Sequence, residues 1–140
     1  LSGGAVNVNG WQLCTTRETC RTLPDVTVPD RGETVIHLEA SENESNELEI
    51  YFSEALEIGP AGELALYSST ENWDSIDALK IYFLWGATPA DPQFLSTAIM
   101  SMLWSEGEVV ELCEGHVGFV AVGDTRHARG WKSQANRCFF

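Results

Sequence analysis

Apolar and polar residues alternate with a period of two along much of the chain, and this pattern restricts the fold more than any other feature. Leu79, Ile81, Phe83 and Trp85 fall on one side of a run from Ile76 to Trp85, opposite Lys80, Tyr82 and Leu84. Successive side chains point to opposite faces only in a β-strand, so this run reads as a strand, central in a sheet and with both faces partly covered. Ile36, Leu38 and Ala40 alternate with His37 and Glu39, and Leu48, Ile50 and Phe52 with Glu49, Tyr51 and Ser53. The polar stretch 41–47 between them predicts a turn joining the two runs as an antiparallel hairpin.

Gly59-Pro60-Ala61-Gly62 marks another turn, followed by a short strand from Glu63 to Tyr67. Further strands are expected at 108–113 and 117–122. Residues 94–104 fit helical spacing as well as a strand, through Leu95, Ile99, Met102 and Leu103. Seven to nine short strands without long amphipathic helices predict an all-β fold. The expected form is an antiparallel β-sandwich or jelly roll with a short helical or irregular segment near 93–104.

The 140 residues make one expected domain, 1–140. Residues 1–10 are rich in glycine and small polar groups and are expected as an extended N-terminal arm. Ala5, Val6 and Val8 in this arm are candidates for strand addition to a neighbouring copy.

Four cysteines, Cys14, Cys20, Cys113 and Cys138, form an even set without zinc-ligand spacing. They predict two disulfides, with Cys14–Cys20 and Cys113–Cys138 favoured. The pairings that send Cys14 and Cys20 to the C-terminal half stay open. The first residue is Leu1, which reads as the product of signal-peptide removal and so as an extracellular protein. Asn43-Glu44-Ser45 is an N-glycosylation sequon, which makes Asn43 a candidate acceptor. No apolar run approaches the roughly 18 residues a membrane span needs.

Charge narrows the partners. The net charge is −13. Residues 33–114 hold seventeen acids against one base, Lys80, whereas residues 115–140 hold Arg126, Arg129, Lys132 and Arg137 against Asp124. An acidic body repels phosphate backbones and anionic lipid, which disfavours nucleic-acid and membrane partners. A basic end and an acidic body on one chain are complementary between copies. Arg126, Arg129 and Lys132 are therefore candidate assembly residues.

No pattern of catalytic residues stands out. A glycosidase needs two carboxylates at a set spacing in space, which the order of twenty-one acids does not reveal. No nucleophile elbow or phosphate-cradling glycine loop occurs, and no cofactor is implied. The oxygen-rich segments with Glu42, Asn43, Glu44, Asn46, Glu47 and with Asp74, Asp77 lack the order of a calcium loop and read as solvated acids. Of five tryptophans, Trp85 and Trp104 sit in apolar strings and are expected in the core. Trp73 and Trp131 sit in polar surroundings and are the candidate ligand-binding pair, suited to stacking on a sugar ring.

The sequence thus predicts a non-enzymatic extracellular protein that associates with itself, into a filament or matrix, by strand addition of the N-terminal arm. A secreted carbohydrate-binding domain is the first alternative, and a secreted inhibitor or small enzyme the second.

Overall fold

The computed structural model describes residues 5–29, 34–56, 61–86, 92–110, 118–121 and 131–134. In these stretches the chain is all-β, with one short helix. The strands are β1 (Val6–Asn7), β2 (Gln12–Thr16), β3 (Thr19–Thr22), β4 (Thr27–Val28), β5 (Val35–Ala40), β6 (Glu49–Phe52), β7 (Gly62–Tyr67), β8 (Leu79–Trp85), β9 (Gly118–Ala121) and β10 (Trp131–Gln134), with the helix α1 (Leu95–Met100) between β8 and β9.

The largest sheet has four strands in the order β3-β2-β7-β8, all antiparallel. Its hairpin β2–β3 turns at Arg17-Glu18, where the Thr16 hydroxyl accepts hydrogen bonds from the N–H groups of Glu18 and Thr19. Cys14 lies directly across from Cys20, and the two form the disulfide predicted from their spacing. Cys113 and Cys138 lie outside the described residues.

Leu13, Leu64, Leu66, Phe83 and Trp85 belong to a cluster of buried residues that also takes in Val8, Leu23, Ile50, Phe52 and Leu56. Cross-strand register brings Gly62 opposite Trp85. A Cβ at Gly62 would stand 2.8 Å from Cζ2 of the indole, so the absent side chain is what lets the ring lie over this strand.

Three expectations are corrected. First, among the described residues β8 is not central but ends the four-stranded sheet. Its end is nevertheless closed, because Val110 N–H donates to Leu84 O and Gly86 N–H to Val110 O. The expected strand at 108–113 is, over its described part, only this bridge at Val110. Second, β5 and β6 pair in parallel, with Ile36 beside Ile50 and His37 beside Tyr51, and so do not form an antiparallel hairpin. Alternation specifies which face a side chain occupies and is blind to strand direction. The connection 41–48 is just long enough for this: a six-residue strand runs about 20 Å, and eight extended residues reach about 26 Å.

Third, residues 5–10 are built into the chain's own fold rather than left as an arm. Val6 and Asn7 pair with Val28 and Thr27 of β4. Val8 is 2 % exposed, and its N–H donates to Val26 O. A buried valine and satisfied backbone groups hold this segment where its composition alone predicts looseness.

Candidate functional site

β7 reads Gly-Glu-Leu-Ala-Leu-Tyr, an acid within an apolar strand, and that acid is the centre of the most perturbed polar cluster described. Glu63 is 4 % exposed. Its Oε2 accepts a hydrogen bond from the Tyr82 hydroxyl at 2.7 Å. Its Oε1 accepts from the N–H of Phe94 at 3.1 Å and from the N–H of Gln93. Burial pushes the Glu63 carboxyl above its ordinary range, opposed by these three donors and by the nearby Arg17 charge. Burial, reinforced by the Glu63 charge, also pushes the Tyr82 phenol up. Tyr67, raised mainly by burial, reaches about 12.

A general acid needs its proton within reach of a substrate. Glu63 instead spends its acceptor capacity on two backbone N–H groups and a phenol. It fastens the start of α1 to the sheet, a positioning task. No buried side-chain nitrogen or oxygen among the described residues lacks a hydrogen-bond partner.

Above this cluster lie Tyr67, Trp73 and Phe94. Trp73 meets Tyr67 edge-on at 5.1 Å between ring centroids and lies 5.4 Å from Phe94. The Arg17 guanidinium sits 5.9 Å from its centroid and reaches Asp74 at 3.8 Å. The ring expected as a sugar platform is half-buried and takes part in packing and in a cation–π contact.

An open surface feature among the described residues is a groove between residues 21–27 and 45–54. It has two recesses, of about 480 and about 310 Å³. Asp25 and Thr27 face Ser45 to Leu48 in the larger. Arg21 and Pro24 face Tyr51 to Glu54 in the smaller.

Both walls are held firmly. Asn7 donates through Nδ2 to Asp25 Oδ1 at 2.9 Å and to Thr27 Oγ1 at 3.2 Å. The Ser45 hydroxyl accepts from Tyr51 N–H and donates to Tyr51 O, so it covers the edge of β6 that faces away from β5. Asn46 Oδ1 accepts from the N–H groups of Leu48 and Glu49, and this turn leaves Leu48 58 % exposed at the groove. Arg21 donates to the carbonyls of Cys20, Glu54 and Ala55, tying β3 to the chain beyond β6. Beside the groove His37 stacks on Tyr51 at 4.4 Å and bonds Glu49 at 3.2 Å. The Tyr51 phenol is raised first by desolvation and then by its hydrogen bond to Glu49.

The other predicted site residues are dispersed. Ala5 is exposed, Val6 is half-buried and Val8 is core. Asn43 is exposed in the 41–48 connection. Trp131 and Lys132 lie in β10, paired with Ala121 and Val120. Arg126 and Arg129 lie outside the described residues. No three His, Cys, Asp or Glu side chains among the described residues converge as metal ligands. Reading acids as solvated passes over Glu63; its place in an apolar strand is the signal the sequence offers.

Comparison with known proteins finds no matching family, no matching curated protein and no matching solved structure. Fold and site define the class at this level: a disulfide-bonded, mostly antiparallel all-β protein with one short helix and a firmly walled surface groove. No helix among the described residues is long and apolar enough to cross a membrane.

Proposed function

We propose that this is a non-enzymatic extracellular interaction protein whose partner is a second copy of itself, joined through opposite charges. One observation carries the reading: many acids of the body are exposed, and few contacts to a Lys or Arg are seen between described side chains. Glu39, Glu42, Glu44, Glu47, Glu54, Glu71, Asp77 and Glu106 are all exposed. Among the described residues one carboxylate, Asp74, lies within 4 Å of a Lys or Arg nitrogen. Four of the chain's eight bases fall in residues 115–140. Because residues 5–10 are engaged within their own chain, charge rather than strand addition is the basis for association.

An oxidising compartment favours the Cys14–Cys20 bridge, which supports an extracellular setting. Exposure of Asn43 leaves the sequon accessible for a glycan, to be read as a mass increment on protein made in a glycosylating host. A sugar-binding role draws no support from Trp73, whose ring is packed.

Sedimentation velocity of the full chain tests the reading. Association is expected at about 0.01 M salt and is lost near 1 M, where charges are screened within about 3 Å. A monomer at both salt concentrations refutes self-association.

A further inference from the structure

We propose that the groove between residues 21–27 and 45–54 receives the basic β9–β10 connection, residues 122–130, of a second copy. This rests on the charge-driven self-association above and assigns it a place. Three carboxylates line the groove, Asp25, Glu47 and Glu54, against one guanidinium, Arg21. That guanidinium is already taken up by three backbone carbonyls. Glu47 and Glu54 are exposed and carry no ion pair among the described residues.

Charge alone would attract any cation, but the groove also offers an apolar contact. Leu48 stands 58 % exposed at a position where the period-two pattern would bury it, held out by the Asn46 turn. Both walls are fixed by hydrogen bonds within the free chain, so a ligand would meet a surface that needs little ordering.

The occupant follows from charge complementarity. Lys80 is the lone base of residues 33–114. Arg17 is paired with Asp74 and lies against Trp73, and Arg21 is part of the groove. Apart from Arg31, a single base next to Asp30 in sequence, the remaining positive charge is C-terminal, in Arg126, Arg129, Lys132 and Arg137. There β9 and β10 pair antiparallel, from Trp131 beside Ala121 to Gln134 beside Gly118. The nine residues between them in sequence include Arg126 and Arg129. Arg126 and Arg129 would meet Asp25 and Glu47, with the stems of these long side chains lying on Leu48. The groove and residues 122–130 are different parts of one chain, so the proposed contact is heterologous and propagates into rings or open chains.

The test is sedimentation velocity of the intact chain at low salt, on wild type and three variants. Asp25→Asn with Glu47→Gln keeps the Asn7 acceptor and removes two charges. Leu48→Ser removes the apolar contact at an exposed position. Arg126→Glu with Arg129→Glu reverses the charge of residues 122–130. Each is expected to weaken association at least about tenfold with unchanged melting temperature. Joining that charge reversal to Asp25→Arg and Glu47→Arg is expected to restore it. Wild-type association in both groove variants overturns the groove while leaving charge-driven association in place. A wild-type chain that stays monomeric overturns both.

Discussion

At Glu63 a single carboxylate links pH to stability. Its folded pKa lies above the ordinary glutamate value, and burial is the chief cause. Between the two values the native protein holds a proton that the unfolded chain has released, so this residue's contribution falls as pH rises through that window. Glu63→Gln is therefore expected to flatten the upper part of the pH–stability profile, from about pH 4.5 towards neutrality, in thermal melts. Glu63→Ala differs: it strands the N–H groups of Gln93 and Phe94 and is expected to cost about 3 kcal/mol by denaturant titration. The neighbouring Gly62 gives a steric counterpart. Gly62→Ala drives a Cβ to 2.8 Å from the buried Trp85 ring and is expected to cost about 1–3 kcal/mol by the same measurement.

Among the elements, α1 shows why part of the fold was not legible. The helix has no acid in its first turn and no side-chain N-cap. The carboxylate beside its start comes from β7, thirty residues away from Gln93 in sequence. A local reading of 94–104 therefore had no start signal to separate helix from strand. Its end is equally unannounced. Leu103 N–H donates to Ala98 O and Met102 N–H to Ile99 O, which is a Schellman stop with Met102 at φ 63° where glycine is usual. The Met102 side chain is 74 % exposed and contributes little burial, so Met102→Gly is expected to stabilise the protein by about 1 kcal/mol in thermal or denaturant unfolding.

Alternation did locate β5, β6, β7 and β8 to within a few residues, because each has an apolar face. It missed the parallel pairing of β5 with β6, since direction depends on where the 41–48 connection runs. The six-residue spacing of Cys14 and Cys20 was legible as a bridge. Replacing both by serine is expected to cost about 2 kcal/mol, the chain-entropy value for so small a loop.

For the molecule as a whole, segregated charge was readable from the order of residues, whereas the groove was not. Its walls come from stretches some twenty residues apart that only the fold brings together. The surface that results has consequences within one copy as well as between copies. Exposed acids that repel one another destabilise the compact state, and the exposed Arg17–Asp74 pair offsets little of this. Raising sodium chloride from about 0.01 M to about 1 M shortens the screening length from about 30 Å to about 3 Å. At protein concentrations too low for association, the melting temperature is then expected to rise with salt. A surface whose acids were matched by bases within the same chain would respond in the opposite sense, because screening would weaken attraction. The sign of the shift in dilute protein therefore reports whether the acidic body is neutralised internally. A falling melting temperature would remove the unsatisfied charge on which association between copies depends.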